Sequence, residues 1–367
     1  MTKLHITLVG GQTAPVYQGI IDSNPDKVFF VYSEQTEAET KRILSEIAVL
    51  SESFPFDPVD LSNIEKGIRD IDSKINPSDH VSINIGGGTK PWSVLFYAYF
   101  ENRENTKIIY IDQNNFIWDF KTKTKHQVVF DMDVQFRLYG NPLSNFKTLD
   151  DFSTDDFEAI DDIKALRKLN FQDFKYMTEY LSKQSNEVFV IGKSGSTIDW
   201  LPNEKSFKCL MKDKSGKELR KSLNSKNARN LLLNSGWFEL LVAKMLSQWN
   251  KAKDIRMNCI FQSTKGSPKN EIDIIINTGT KLLFVECKTQ IKNETDIDKF
   301  ASAVKTYGGM GSKALFITEA LMSDKAIEKC VDNGIMYFSL HNNIGVDSIE
   351  KFLFFKLETE LFNINTK

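Results

Sequence analysis

At 367 residues the chain is longer than one hydrophobic core serves, so two domains with a connector are expected. With 41% apolar and 26% charged residues it reads as a globular chain, which excludes the disordered, collagen-like and disulfide-scaffold classes. The net charge of −2 hides a polarised distribution, acidic over 150–162 and basic over 205–229.

Residues 1–11 read as a short strand running into glycines, without the basic leader and long apolar core of a signal peptide. Short β-branched apolar runs at 6–9, 28–32, 81–85 and 108–111 alternate with helical spacing. That spacing covers 34–50, with Ile43, Ile47 and Leu50 on one stripe, and 64–75, with Ile64, Ile68 and Ile71. Near-continuous apolar strands between amphipathic helices predict an α/β fold with a mostly parallel, Rossmann-like sheet over 1–140. Runs at 116–120 and 127–130 add an antiparallel hairpin. The longest apolar run, around 93–100, is far short of the ~20 residues a bilayer span needs, so no membrane partner is expected.

Two glycine loops follow strands of this sheet. One is Gly10-Gly11-Gln12-Thr13-Ala14-Pro15, the other Gly86-Gly87-Gly88-Thr89-Lys90-Pro91. Proline in the first helical turn leaves each loop presenting free N–H groups at a helix start, a cradle for phosphate, and Lys90 adds a charge. Glycines also serve tight βα turns with no ligand; three of them with Thr89 and Lys90 ask for more than a turn. Neither loop has a known nucleotide spacing. Gly192-Lys193-Ser194 has the tail of a P-loop but Glu187 in place of its first glycine, which argues against an ATPase.

Gly140-Asn141-Pro142 closes the first unit. The acidic stretch to Asp162 reads as a linker into one or two helices before Lys183, and 187–191 with 197–201 as a hairpin, so 141–225 is read as a connector. The run at 205–229 holds nine Lys or Arg against two acids. By itself it is a solvated surface; on a near-neutral chain it is also a candidate polyanion contact. From 226 to 367 a second α/β unit is expected: helix 231–249, strands 255–261, 272–276 and 282–287, helix 296–307, strand 314–318, helix 324–332, strand 336–340. Cys209, Cys259, Cys287 and Cys330 lie far apart, as do the four histidines. That points to a reducing, cytoplasmic setting without structural zinc, and away from a His triad.

The chemistry concentrates in Glu271-Ile272-Asp273-Ile274 and, after a turn, Val285-Glu286-Cys287-Lys288-Thr289-Gln290. Adjacent strands of a hairpin place Asp273 beside Glu286. Period-2 alternation puts Glu286, Lys288 and Gln290 on one face and Val285 with Cys287 on the other. Two neighbouring carboxylates repel unless a cation sits between them, which makes a ready Mg²⁺ or Mn²⁺ site. A lysine two residues on can hold a water or neutralise charge on a phosphorane-like transition state. Glu239 stands among apolar residues of the preceding helix. A bare E-x-K is common on exposed hairpins; the full order of helix with Glu, strand, strand with Asp, strand with E-x-K, helix, strand is harder to dismiss.

On these residues, 226–318 resembles the PD-(D/E)xK nuclease superfamily, in its restriction-endonuclease-like branch with an αβββαβ core. The resemblance assigns the metal-binding acid to Asp273, the second acid and lysine to Glu286 and Lys288, and the helix glutamate to Glu239. It implies a metal set of Asp273, Glu286 and Cys287 for Mn²⁺ or Mg²⁺. Ile272 stands where the family's proline precedes the acid. The first domain, with its Gly-Gly-Gly-Thr89-Lys90 turn, resembles the CARF domains (CRISPR-associated Rossmann fold), which bind cyclic oligoadenylates made by type III CRISPR complexes. Together they resemble the CARF nucleases of that system. The resemblance implies a homodimer that binds cyclic tetra-adenylate across its two-fold axis, at Gly11, Gln12, Thr13, Gly87, Gly88, Thr89 and Lys90. Binding there would reorient the nuclease domains to cleave DNA or RNA. Two alternatives stay open: a ligand-gated regulator that binds nucleic acid without cutting it, and a ring nuclease that degrades the messenger at Thr89 and Lys90.

Overall fold

The structure is a computed structural model that describes residues 1–129, 131–183, 188–263, 271–291, 293–309, 311–343 and 348–362. The N-terminal sheet has seven strands: β1 (Lys3–Leu8), β2 (Lys27–Tyr32), β3 (Leu50–Pro55), β4 (His80–Asn84), β5 (Thr106–Ile111), β6 (Phe116–Asp119) and β7 (Thr124–Gln127). Their order is β3-β2-β1-β4-β5-β6-β7, parallel through β5 and antiparallel for the last two pairs. Helices α1 (Thr13–Ser23), α2 (Glu37–Ser45), α3 (Leu61–Asp72), α4 (Lys90–Phe100) and α5 (Met132–Leu138) surround it. The strand order reverses beside β1, so β1 and β4 end at the crevice where such sheets bind ligands. Helix α3 shows the local logic: Asp60 caps it by accepting from Ser62 and Asn63 N–H groups, and Ile64, Ile68 and Ile71 are its buried stripe.

The helix expected over 34–50 is shorter. Helix α2 stops at Ser45, and Leu50, placed on its apolar stripe, opens the edge strand β3 and is 69% exposed. The expected hairpin is present with a tighter turn; Phe130, at the end of its second predicted strand, lies outside the described residues, as does Glu187 of the later hairpin.

The stretch read as a linker contributes β8 (Leu143–Lys147), followed by α6 (Thr154–Leu169) and α7 (Phe171–Lys183). A four-stranded antiparallel sheet comes next, of β9 (Phe189–Ile191), β10 (Thr197–Leu201), β11 (Ser206–Lys212) and β12 (Glu218–Leu223). The sequence reading anticipated only its first hairpin. The turn at 192–196 is tied to α7 by Asp173, which accepts the N–H groups of Lys193 and Ser194 at 3.0 Å each. Its glycine and lysine thus close a hairpin rather than cradle a nucleotide.

The C-terminal unit holds α8 (Ala228–Leu233), α9 (Gly236–Ser247), β13 (Asp254–Phe261), β14 (Glu271–Asn277), β15 (Leu282–Lys288), α10 (Thr295–Tyr307), β16 (Lys313–Thr318), α11 (Asp324–Asp332), β17 (Met336–Ser339) and α12 (Ile349–Phe362). Its sheet order is β17-β16-β15-β14-β13-β8. The single helix expected at 231–249 is broken at Ser235, whose φ of +62° no helix accommodates. One apolar core joins α6 and α7 (Ile163, Leu166, Phe174, Met177) to α9 and the inner face of this sheet (Leu240, Val285, Ile317). A second core receives Met132 and Phe136 of α5, with Phe136 edge-on to Phe261 at 5.1 Å. Apolar packing therefore joins the two sheets, and truncating Phe136 removes a contact of the kind worth about 3–5 kcal/mol. No helix among the described residues is long and apolar enough to cross a membrane.

Candidate active site and ligand edge

The acids and lysine meet where two strands part. Strands β14 and β15 stay in antiparallel register from Asn277↔Leu282 to Ile274↔Val285. One residue further, Asp273 Oδ2 accepts the backbone N–H of Cys287 at 2.7 Å. A carboxylate thus stands in for a peptide carbonyl and is fixed at 9% exposure. Glu286 and Lys288 occupy alternate positions of β15, and Lys288 Nζ lies 2.5 Å from Glu286 Oε1 and 3.6 Å from Asp273 Oδ2. Glu239 enters from the first turn of α9, which buried Trp237, Phe238 and Leu240 hold in place. Its Oε2 accepts from Asn258 Nδ2 at 3.0 Å, and the same amide donates to Glu271 Oε1 at 2.7 Å. Asn258 holds φ at +50° within β13, a conformation asparagine tolerates better than most residues. The sequence reading missed Asn258, since one polar residue in a strand leaves no periodic mark.

The charges do not balance. Burial, then the charge of Asp273, pushes Glu239 up to about 8 and Glu286 up to about 7. Burial raises Asp273 as well, against the pull of Lys288 and the Cys287 N–H. Burial works to discharge Lys288, but Asp273 and Glu286 outweigh it and hold the ammonium well above its ordinary range. One ammonium stands against three desolvated carboxylates, an imbalance that favours uptake of a proton or of a further cation.

Among the described residues no group of three or more His, Cys, Asp or Glu side chains is placed to hold a metal. Two carboxylates are enough for a hard divalent ion that takes its other oxygens from water and a substrate phosphate. Asp273 and Glu286 fit that demand in ligand type and in unbalanced charge. Of Cys287, also expected in the metal set, only the peptide group faces the site. Its thiol is 5% exposed in the apolar core with Ile274 and Val285, and burial drives its pKa far up. The alternation that turns Glu286 and Lys288 to the site turns Cys287 away, leaving its peptide group there. A pocket of about 250 Å³ opens on Glu286 and Lys288, walled by Glu271, Asp296, Lys299 and Phe300.

The glycine loops lie together at the carboxyl ends of neighbouring β1 and β4. A Cβ on Gly10 would sit 2.8 Å from Gly88 N, and one on Gly87 would overlap the Leu8 carbonyl oxygen. Gly88 has φ of +70° and lies against Trp92. The triple glycine thus lets two loops nest backbone to backbone, a packing reason the sequence reading did not supply. Two hydroxyls expected at the ligand are committed to the protein. Thr13 is buried and donates to Leu138 O at 3.1 Å. Thr89 donates to Pro58 O at 2.9 Å and caps α4. Gly11 and Lys90 are exposed, and half-buried Gln12 accepts from Tyr139 Oη at 3.4 Å. Beside Gln12 and Gly86 lies a cavity of about 470 Å³, bounded by Tyr110, Asp112 and Asn115 and closed by Thr280 and Lys281 of the β14–β15 turn.

Residues 4–137 match the family model of the Card1 CARF domain, and residues 226–339 that of the Card1-like endonuclease domain. The chain belongs to the CARF-domain nucleases. Solved structures with the same fold include Can2 from Sulfobacillus thermosulfidooxidans in complex with cyclic tetra-adenylate. It is 18% identical, with a TM-score of 0.73 over 98% of this chain and 99% of that one. Protein VC1899 from Vibrio cholerae is 13% identical, with a TM-score of 0.74 over 98% of both chains. A type III CRISPR defence DNA nuclease activated by cyclic oligoadenylate is 14% identical, with a TM-score of 0.55 over 95% of this chain and 52% of that one. At these identities the likeness is one of fold. No curated protein matches the chain.

In this CARF nuclease the basic run at 205–229 spans β11, β12 and the start of α8. Lys212 and Arg220 pair with Glu218 at 2.6 and 3.1 Å, and Lys221 pairs with Asp162 at 2.6 Å. None of its nine cations lines the cavities next to β15.

Proposed function

We propose that this chain is a metal-dependent endonuclease, switched on by cyclic tetra-adenylate, that cleaves DNA or RNA in type III CRISPR defence. The observation that carries the reading is Lys288 seated against Glu286 and Asp273 at the split of β14 and β15, in a chain whose other half is a CARF sheet. Asp273 and Glu286 would hold Mn²⁺ or Mg²⁺, which when bound neutralises phosphate oxygens and acidifies a water. The chain's own groups do the rest. Lys288 brings a permanent positive charge to where the scissile phosphate gains negative charge. The Asn258 amide orients Glu239, and the Cys287 N–H fixes Asp273. Hydrolysis forms a P–O bond from water and breaks the P–O bond to the leaving sugar oxygen, which takes up a proton.

For the sensor, Gly11, Gln12, Lys90 and the peptide groups of Gly87 and Gly88 would meet the ring. A two-fold ring suits a homodimer. The outer face of α4 supports that arrangement, since Val94 is 64% and Tyr97 36% exposed close to Lys90. The four cysteines are free and buried, in keeping with a reducing cytoplasm.

The test is a cleavage assay on single-stranded and duplex DNA and RNA in Mn²⁺, with cyclic tri-, tetra- or hexa-adenylate or none. Cleavage is expected with the tetra-adenylate, lost on chelation, and reduced at least about 10²-fold in Glu286→Ala while ring binding persists. Ligand-dependent retention of nucleic acid without cutting would leave a regulator. Ring degradation that survives Glu286→Ala would leave a ring nuclease.

A further inference from the structure

A groove of about 910 Å³ opens beyond the C-terminal end of β15, and Thr289 and Gln290, the two residues after Lys288, line it. Its opposite wall comes from α6 and α7. Lys164, Arg167 and Lys168 share one face of α6, and Phe171 and Lys175, four apart, share one face of α7; all five line the groove. Arg167 is committed: it pairs with Glu319 and its guanidinium lies 4.8 Å from the Trp237 ring centroid. Lys164, Lys168 and Lys175 stand in none of the ion pairs found among the described residues, and one further acid, Glu179, lines the groove with them. Phe171 is 47% exposed between them, with the Arg167 guanidinium 5.4 Å from its ring centroid on one side. The α6–α7 wall therefore presents three ammonium groups and one carboxylate, Glu179, around a half-exposed aromatic ring, and it faces the two residues that follow Lys288.

That combination matches a polyanion whose units also carry flat apolar faces. We infer that this groove holds one nucleic-acid strand leading from the cleavage site, with phosphates over Lys164, Lys168 and Lys175 and a base on Phe171. The inference rests on the nuclease reading and extends it to the track of the substrate. It also separates two basic surfaces: the groove lysines face the end of β15 across the groove, whereas the run at 205–229 does not line it.

The test uses the full chain with cyclic tetra-adenylate, and Ca²⁺ in place of Mn²⁺ so that the strand stays whole. Fluorescence anisotropy of labelled single-stranded DNA, single-stranded RNA and duplex DNA is read across a range of salt concentrations. Removing two phosphate contacts in Lys168→Ala/Lys175→Ala is expected to flatten the slope of log K against log[salt] by about 1.4. Phe171→Ala is expected to weaken single-strand binding about fivefold or more and duplex binding much less. Lys208→Ala/Lys217→Ala, on the other basic surface, is expected to change neither. Melting temperatures near wild type confirm that the surface variants are folded.

An unchanged slope in Lys168→Ala/Lys175→Ala, or an equal loss in the Lys208→Ala/Lys217→Ala pair, overturns the groove assignment. Phe171→Ala weakening duplex as much as single strand overturns the single-strand assignment. A wild-type chain that cuts no strand in Mn²⁺ overturns the nuclease reading and the groove with it. A wild type that cuts, beside a groove variant with unaltered KM, overturns the groove alone.

Discussion

Asn258 is where the site depends on one uncharged side chain. Its amide has two hydrogens and spends them on Glu239 and Glu271, so it separates two carboxylates that would otherwise face each other. Asn258→Asp keeps the shape, removes both donors and adds a further negative charge to a cluster already short of cations. Cleavage is expected to fall about tenfold or more, with more Mn²⁺ needed for half-maximal rate, both read by titrating the metal in the cleavage assay. Unaltered metal dependence would make Asn258 a purely structural residue. The same contrast explains what was legible in the sequence. Asp273, Glu286, Lys288 and Glu239 stand out because a charge at an otherwise apolar position needs a reason. Asn258 gave no such signal. Thr13 and Thr89 show the other direction: the sequence does not tell that their hydroxyls donate to the Leu138 and Pro58 carbonyls, since a hydroxyl in a glycine loop looks the same whether it meets a ligand or a backbone carbonyl.

At the scale of the element, the glycine loops divide into positions that must lack a side chain and positions that need not. A methyl on Gly87 runs into the Leu8 carbonyl, so Gly87→Ala pushes the two loops apart. Gly11 has no atom within 4 Å of its would-be Cβ and no positive φ. Gly87→Ala is expected to cost about 1–3 kcal/mol in urea unfolding and to weaken binding of cyclic tetra-adenylate, while Gly11→Ala stays within about 0.5 kcal/mol of wild type. Equal stability of the two variants would show that the loops do not nest. Elements themselves were legible where one period held. Strands β1, β2, β4, β5 and the β13–β17 series are apolar runs long enough to announce themselves. Strand β3 was not, because LSESFP at a sheet edge carries polar residues, and a stripe of isoleucines ran the predicted helix on into it. Nor was the break between α8 and α9, since Asn234-Ser235 interrupts an apolar pattern that resumes in phase.

For the molecule as a whole, the β14–β15 hairpin links the two sites the proposed function needs. Its turn, at Thr280 and Lys281, closes the cavity beside Gln12 and Gly86. Its other end carries Asp273 and Glu286, about 15 Å away at the rise of an extended strand. The turn is held to the CARF sheet by Asn115, whose Nδ2 donates to the Thr280 carbonyl from a left-handed backbone (φ +58°). On the neighbouring strand β13, Arg256 ties the hairpin's own sheet to α5, with Nη2 donating to Asp133 at 2.9 Å. A ring bound at the CARF edge can act on the acids to the extent that its two binding states move this turn differently. Asn115→Ala deletes one such tie and touches no catalytic group. It is expected to lower the ratio of stimulated to unstimulated cleavage by about 2- to 10-fold, the value of one hydrogen bond, and to leave the unstimulated rate unchanged. Rates measured with and without cyclic tetra-adenylate decide the matter. An equal fall in both would place Asn115 in general stability, and an unchanged ratio would mean that the signal crosses elsewhere, with the apolar seat of Phe136 in the second core the next contact to weaken.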